Sequence, residues 1–233
     1  MPIVQNPSIG AGAVALLSTT TLISKAQILT LNSAPVQLIP APGPGKLIVV
    51  LSAVLVYKFG TQPYVQSDDS LFLVYEASEN GVLGTNVVGL LTGSAGDFYQ
   101  YQPGNTAENN SLLPGDDNQP VVLQSDASYN NGPIVTATLG AGGLGYAPND
   151  TGTISTGSGD ATYQVLTVGA GGAVLTFSIT APGTAYATGN GLATATGGAQ
   201  PGVGLGFTVN ITAVQTGDGT LKVVTYYQII PVP

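Results

Sequence analysis

The chain ends in a strong β-strand sequence that must find partners elsewhere in the chain. Residues 217–219 read Gly-Asp-Gly, a turn sequence, and residues 220–230 are rich in β-branched and aromatic residues, which predicts a strand. Alternate positions give two faces: Leu221, Val223, Thr225, Tyr227 and Ile229 on one, and Lys222, Val224, Tyr226, Gln228 and Ile230 on the other. Neither face is wholly polar, so we expect neighbours to cover both at least in part. Because a lone strand is unstable, its partners must be sought upstream.

The residues just before this strand have a different composition and make poor partners. Residues 134–214 hold 18 of the 33 glycines and only two charged residues, Asp150 and Asp160. The apolar and β-branched runs lie upstream of residue 133. We therefore predict that residues 26–133 form a first domain, that residues 134–214 form an inserted domain, and that residues 215–233 return to complete the first.

The segment from residue 26 to residue 133 predicts an antiparallel β-sandwich. Short apolar runs alternate with turn sequences rich in Pro, Gly, Asn and Asp, and the runs cover 26–31, 35–39, 46–57, 71–75, 87–91, 98–101 and 120–123. With the terminal strand these make about eight strands, and the pattern shows no helical periodicity. The fold class predicted is all-β, with a jelly-roll-like sandwich as its main body.

Residues 1–25 are predicted to form an extended N-terminal arm. They carry small residues, two prolines and a Ser-Thr-Thr-Thr run, and we expect them to be disordered or to lie on a partner. The apolar stretch 9–17 is too short to cross a bilayer, and no basic residue precedes it, so it is a poor secretory signal. A short helix over residues 13–17 is an alternative for part of this segment.

Composition narrows the possible functions. The chain has no Cys and no His, which removes disulfides and thiolate metal sites, and its four basic residues are all lysines. With a net charge of −8 and no basic cluster, we expect no nucleic-acid partner. Only 7% of residues are charged, against about 25% in an average domain, and no stretch could span a membrane. This apolar, charge-poor composition predicts that much surface is buried between subunits of a homo-oligomer.

The glycine-rich segment repeats itself. Residues 143–150 read Gly-Leu-Gly-Tyr-Ala-Pro-Asn-Asp and are echoed by residues 182–190, so that Tyr146 and Tyr186 lie 40 residues apart. Each copy continues through a glycine-rich turn into a strand, and residues 174–179 form a strand that links the copies. We expect two similar β units packed on each other, with one aromatic side chain from each copy inside.

These motifs carry a family resemblance. The Gly-x-Gly-Tyr-x-x-x-Asp pattern at 143–150, followed by the Gly-Ser-Gly turn at 157–159 and a strand, resembles a repeat of tailed-bacteriophage virion proteins. Residues 36–46 and 217–223 resemble small phage structural proteins of jelly-roll type. Together these segments cover about half of the chain, and the resemblance implies a virion component.

Several carboxylate groups are candidates for a metal site. The pairs Asp68-Asp69 and Asp116-Asp117 could bind a hard cation such as Ca²⁺ with nearby carbonyl groups, but neither has EF-hand spacing, and turns favour Asp without any metal. Asp150 and Asp160 each offer one carboxylate, which is typical of an Asx turn. We predict no metal site and no cofactor.

Catalytic chemistry also finds little support. The glycine run 140–145 lacks the Lys-Ser/Thr of a phosphate loop, the chain has no His to activate a serine, and Ser24-Lys25 are adjacent and badly placed as a pair. Acid–base catalysis of glycoside hydrolysis would require two facing carboxylates, and the candidates are Glu76, Glu79, Asp97 and Glu108. The simpler interpretation is that these side chains are solvated surface charges. We predict a protein that is not an enzyme and has no catalytic residues.

The resemblance and the composition together lead to a first hypothesis and two rivals. The first is a capsid decoration (cement) protein, a homotrimer that binds the major capsid protein on the virion surface after assembly in the bacterial host cytoplasm. The alternative is a tail or fibre protein that binds a receptor or glycan through Tyr146 and Tyr186, and a third is a hydrolase of host polysaccharide. Tyr99, Tyr101, Tyr226 and Tyr227 could line a sugar-binding face, but packing in the sandwich or between subunits is their simpler role.

Overall fold

The computed structural model describes residues 14–66, 70–83, 86–93, 95–104, 115–196 and 204–232. The described part is all-β and antiparallel, with one short helix, α1 (Lys25–Ile28), and one 3-10 turn (Ala170–Gly172). Its strands are β1 (Leu17–Ile23), β2 (Val36–Ile39), β3 (Lys46–Lys58), β4 (Ser70–Tyr75), β5 (Val87–Val88), β6 (Phe98–Pro103), β7 (Val121–Ser125), β8 (Ile134–Leu144), β9 (Thr151–Ile154), β10 (Thr162–Val168), β11 (Val174–Ala181), β12 (Gly189–Thr196), β13 (Leu205–Val214) and β14 (Thr220–Pro231).

Eight of these strands form a jelly roll, which confirms the predicted fold class. One sheet has the order β1-β14-β3-β6 and the other the order β2-β7-β4-β5. Counting only these eight strands, the first pairs with the last, the second with the seventh, the third with the sixth and the fourth with the fifth. This is the pairing of one long antiparallel hairpin rolled into a sandwich. The terminal strand β14 lies in the middle of its sheet, between β1 and β3.

The core of the sandwich lies between the two sheets and is apolar. Leu221 and Val223 of β14 are buried in it, opposite Tyr57 and Leu55 of β3. Thr225 has the same orientation and is also buried, and its hydroxyl lies 2.7 Å from that of Thr19. The Thr19 hydroxyl donates to the carbonyl of residue 38 at 3.2 Å, so Thr225 donates to Thr19 and both polar groups are satisfied. The opposite face of β14 is only partly covered, as expected.

Residues 26–31 are not the strand that the sequence analysis predicted. Lys25–Ile28 form α1, and Ser24 is its N-cap. The Ser24 hydroxyl accepts from the Gln27 backbone N–H at 3.4 Å, and the Gln27 side chain accepts from the Ser24 N–H at 3.0 Å. Ile28 and Leu31, three residues apart, are both buried, which is helical and not strand spacing. The reciprocal caps outweigh the β propensity of this short run.

The predicted N-terminal arm is shorter than 25 residues. Leu17–Ile23 form β1, which pairs with β14 along its whole length, with Leu17 opposite Tyr227 and Ile23 opposite Leu221. Residues 14–16 have no regular structure, so the alternative of a helix there is wrong for those residues. Residues 1–13 lie outside the described part of the chain. From Leu17 onward the segment belongs to the sandwich because it supplies one edge of the β14 sheet.

The described residues of segment 134–214 form one curved sheet with the order β11-β10-β9-β12-β13-β8. The sheet is nearly closed, because a Cβ on Gly142 of β8 would lie 2.7 Å from the carbonyl oxygen of Val174 in β11. A second apolar core fills it, separate from the core of the sandwich. At its centre the Phe207 ring meets Tyr163 and Phe177 edge-on, with ring centroids 5.0 and 5.3 Å apart.

The sequence repeat appears in this sheet as an approximate two-fold relation. The first three strands of the segment, β8, β9 and β10, are equivalent to β11, β12 and β13. When each strand is exchanged for its equivalent, the strand order of the sheet is the same but reversed. The expected arrangement of two units packed on each other is therefore wrong, since both copies share one sheet. The expected linking strand at 174–179 is present as the first part of β11.

The tyrosine of each copy makes an equivalent contact with the glycine two residues before β8 or β11, and for Tyr186 this glycine, Gly132, lies just outside the segment. The Tyr146 N–H donates to the Gly172 carbonyl at 2.9 Å, and the Tyr186 N–H donates to the Gly132 carbonyl at 3.0 Å. Tyr186 lies against Gly157 of the first copy, where a Cβ would be 2.8 Å from the ring, and Tyr146 lies against Gly204 of the second copy, where a Cβ would be 2.5 Å from it. Both tyrosines are buried, as expected for one aromatic from each copy.

The segment 134–214 leaves the sandwich and returns to it at the same place. Val214 pairs with Ile134, and the Gln215 N–H donates to the Pro133 carbonyl at 2.8 Å. The two ends of the sandwich chain are therefore already within the reach of a short linker. The boundaries at 133 and 215 stay a prediction, and the following deletion tests them.

Deletion of residues 134–214, with 133 joined to 215 through a short Gly-Ser linker, is expected to leave a folded sandwich. The reason is that its apolar core contains no side chain from the described residues of the deleted segment. Circular dichroism and a cooperative thermal transition measure the outcome. An aggregated product would show that the two cores depend on each other and that the boundaries are wrong.

Asp218 fixes the turn that leads into β14. Its carboxylate accepts from the Gln62 N–H at 2.9 Å, the Thr61 hydroxyl at 2.7 Å and the Thr61 N–H at 2.8 Å. These bonds favour the charged form and hold the pKa of Asp218 below its usual range, the Gln62 bond contributing most. Gly60 must be glycine here, because a Cβ would lie 2.2 Å from the same carboxylate.

Asp218→Asn is expected to lower the melting temperature at neutral pH, with the loss disappearing in acid. The folded pKa of Asp218 is depressed below the unfolded value of about 3.9, so its contribution is complete above that value and is lost as pH falls through the folded pKa. Thermal melts of both chains between pH 7 and pH 2.5 give the comparison. Asp117→Asn, at an exposed turn position, is the control. An equal loss at every pH would contradict the assigned role.

Candidate functional site

The paired carboxylates show structural roles where the structure describes them. Asp116 is buried and accepts from the Ser78 hydroxyl at 2.6 Å and from the Asn80 side-chain amide at 2.9 Å. Its neighbour Asp117 is exposed. The pair Asp68-Asp69 lies outside the described residues. Asp116 therefore joins the turn after β4 to the loop before β7.

The two carboxylates of the repeat segment also support turns. Asp150 accepts from the Ala147 N–H at 2.8 Å, and Asp160 accepts from the N–H and the hydroxyl of Thr184, each at 2.9 Å. The bond from the Thr184 N–H is the largest cause of the lowered pKa of Asp160. Within the described ranges no three Asp or Glu side chains come together as a metal site would require.

The residues weighed for catalysis are dispersed or have other partners. Ser24 caps α1, Glu76 and Glu79 are exposed at a turn, and Asp97 pairs with Lys58. Glu108 lies outside the described residues. Residues 140–144 belong to β8, and only Gly145 follows the strand, so this run is not a phosphate-binding loop.

Tyr146 and Tyr186, the tyrosines that the glycan-binding hypothesis requires at the surface, are buried. Tyr146 and Tyr186 are 5% and 0% exposed, so neither can contact a sugar. The Tyr186 hydroxyl accepts from the Ala161 N–H at 3.0 Å and donates to the Ile154 carbonyl at 3.1 Å. Both rings belong to the core of the six-stranded sheet.

The β1-β14-β3-β6 sheet turns one face away from the core, and we call this face the outer face. The strand register sets three rows across it. The rows are Leu22–Lys222–Val56–Tyr99, Thr20–Val224–Val54–Tyr101 and Ser18–Tyr226–Ser52–Pro103. The β6 ends of the first two rows bring Tyr99 and Tyr101 about 7 Å apart on the same side of their strand.

The outer face exposes large apolar and aromatic groups. Tyr99 and Tyr101 are each 65% exposed and Leu22 is 73% exposed, whereas Tyr227 points inward and is 8% exposed. Of the four tyrosines considered for a sugar-binding face, Tyr227 therefore packs in the sandwich, and the other three, Tyr99, Tyr101 and Tyr226, lie on the outer face. Aromatic exposure of this extent on one surface is typical of a binding surface.

A shallow pocket of about 400 Å³ opens at one end of the outer face. Its walls are mainly apolar and include Leu22, Val56 and Leu221, and the lysines Lys58 and Lys222 also line it. An apolar surface with ammonium groups beside it matches a ligand that presents apolar groups next to carboxylates.

Charge on this sheet differs in sign from the charge of the whole chain. The four strands of the sheet contain no Asp or Glu and three of the four lysines, although the chain has a net charge of −8. Asp97, just before β6, forms an ion pair with Lys58. Their shared hydrogen bond raises the pKa of Lys58 and lowers that of Asp97, so both stay charged at neutral pH. Lys222 has no carboxylate partner among the residues that the structure describes.

Comparison with known proteins gives no further guide to the role of this face. No protein-family model, curated protein or solved structure matches the chain. Among the described residues no helix is long and apolar enough to span a membrane.

The outer face could be found only partly from the sequence. The alternation in 221–230 separates the two faces of β14, but Tyr226 and Tyr227 are equally apolar, and the pattern does not say which one is buried. The β6 run, Phe-Tyr-Gln-Tyr-Gln, shows the stronger signal, because its alternating glutamines and tyrosines indicate a strand with two unlike faces.

Tyr186→Phe is expected to destabilise the chain by about 1–3 kcal/mol, the cost of leaving buried polar groups without a hydrogen-bond partner. The change removes the bonds to Ala161 and Ile154 but keeps the ring. Tyr101→Phe, at an exposed position, is the matched control and should change stability little. Urea unfolding of the three chains gives the free energies. Equal stability of the two variants would contradict the structural role of Tyr186.

Proposed function

We propose that this chain is a non-enzymatic structural protein of a phage virion, which binds the head as an oligomer and stabilises it. The jelly-roll order of the eight sandwich strands is the observation that carries the proposal. Viral capsid domains are among the proteins that use this fold, and lectins are others, so the fold alone is an analogy. The motifs at 143–150 and 36–46, which resemble phage virion proteins, favour the first of these groups.

The proposed mechanism is adhesive. A protein that binds the assembled shell and not its separated subunits shifts the equilibrium toward the shell by mass action. Joining several copies in one oligomer increases the strength of attachment, because each later contact forms within an already bound particle. Low charge and many hydroxyl side chains suit broad contact with a protein surface, since few charged groups must lose their water.

The major capsid protein is the proposed partner, and the virion surface is the proposed location. The receptor- or glycan-binding alternative has lost the two tyrosines on which it depended, because Tyr146 and Tyr186 are buried. A glycan-binding role would now have to use Tyr99 and Tyr101, the exposed aromatic pair on the outer face. The location of the protein on the virion separates the two proposals.

Immunogold labelling of intact virions with an antibody to this chain is expected to place the label over the head. Particles carrying the protein should then release their DNA at a higher temperature than particles without it. Antibody absorbed beforehand with the pure chain controls for unspecific labelling. Label confined to the tail would overturn the cement proposal, and binding of the pure chain to bacterial surface sugars would then favour the alternative.

A further inference from the structure

The outer face is an apolar surface that the described residues of the chain leave largely uncovered. Tyr99, Tyr101 and Leu22 point into solvent, and Val54 and Val224 lie between them. We propose that a second copy of this chain covers this face, so that the β1-β14-β3-β6 sheet forms the contact between subunits. The inference deepens the proposed function, which requires an oligomer, by assigning the surface that joins its copies.

The area of the outer face suits a contact between proteins. Its central strands have 13 and 12 residues and its edge strands 7 and 6. With about 3.3 Å per residue and about 4.8 Å between strands, the sheet covers about 600 Å². A standard interface buries about 800 Å² on each partner, so this face supplies most of one side.

The composition of the face resembles the centre of an interface. Interface centres are enriched in tyrosine and depleted of Asp and Glu. The outer face has Tyr99, Tyr101 and Tyr226, and none of its rows contains a carboxylate. Serine and threonine hydroxyls fill the remaining positions at the β1 side, where they can bond across a contact without the cost of removing a charge from water.

Charge favours this face over a carboxylate-bearing surface for contact between two copies of the chain. Each copy carries a net charge of −8, so most approaches between two copies are repulsive. The outer face is free of carboxylates in its strands and presents Lys222 without an ion-pair partner among the described residues. Contact through this face therefore brings together few of the carboxylates that make other approaches between two copies repulsive.

The edge of the sheet gives a second, independent reason to expect a cover. Strand β6 is at the edge and pairs with β3, and no other described strand lies against it. Soluble proteins usually protect such an edge with lysine, an inward charge or a bulge. The sequence of β6 has no charged residue, and proline occurs only at its last position, residue 103. Among the described residues this edge is open, and it runs beside Tyr99 and Tyr101, so a copy that covers the outer face at this end can also cover the edge.

The test measures the association of the full chain by light scattering and by sedimentation over a range of concentrations. Wild type is expected to associate reversibly. Tyr99→Glu/Tyr101→Glu places two negative charges at the aromatic end of the outer face and should weaken association about a hundredfold or more, as for two aromatic residues buried in an interface. Tyr99→Phe/Tyr101→Phe keeps the rings and should leave association within a few-fold of wild type.

Leu175→Glu/Leu205→Glu is the matched control. It introduces the same two charges at exposed apolar positions, 55% and 77% exposed, but on the six-stranded sheet. Association of this variant should equal that of wild type. Circular dichroism checks that every variant is folded, and Leu22→Glu, a single change at the opposite end of the first row, replaces the tyrosine variant if that one does not fold.

Two results would overturn the inference. One is a wild-type chain that is monomeric at every concentration. The other is association that survives Tyr99→Glu/Tyr101→Glu, or Leu22→Glu where that variant replaces it. If the leucine control then abolishes association, the contact lies on the six-stranded sheet. A chain that associates through the outer face but does not label phage heads would refute the cement role and leave this inference intact.

Discussion

The insertion of β14 between β1 and β3 is the pairing on which the sandwich depends. Without β14, the strand β1 has no partner in its sheet, and β3 loses one of its two neighbours. The strand comes from the end of the chain, so its sheet cannot close until all of residues 134–214 have been passed. Ordinary flexible loops make such closure slow and entropically costly. Here the pairing of Ile134 with Val214 reduces that cost, because it brings the two ends of the folded segment 134–214 together.

The sandwich was largely predictable because its signals are local and repeated. The β-branched run after the Gly-Asp-Gly turn and six of the seven apolar runs before residue 133 correspond to strands of the sandwich, whereas the run 26–31 does not and β1 was not predicted. The order of those strands follows from the jelly-roll hypothesis and not from any single run. Composition also separated residues 134–214, whose glycines permit the close approach of β8 to β11.

The errors have identifiable physical causes. The run after Ser24 was assigned to a strand from its apolar content, although Ser24-Lys25-Ala26-Gln27 is a capping box that starts a helix. The Thr-rich run that forms β1 resembles a polar arm, because pairing with a strand about 200 residues away leaves no trace in local sequence. Likewise, the burial of each tyrosine depends on a glycine of the other copy, Gly204 for Tyr146 and Gly157 for Tyr186. No local pattern reveals which ring contacts which glycine.

The exchange between the two copies has a consequence for how this segment can change. Each tyrosine inserts into a gap that the other copy provides, at Gly157 for Tyr186 and at Gly204 for Tyr146. The two copies of this sequence are not independent folding units. One copy alone would have an unfilled gap beside its glycine and an exposed tyrosine ring. Loss or addition of a single copy is therefore ruled out as a gradual step, and a viable change in length must alter both copies together or remove the whole segment.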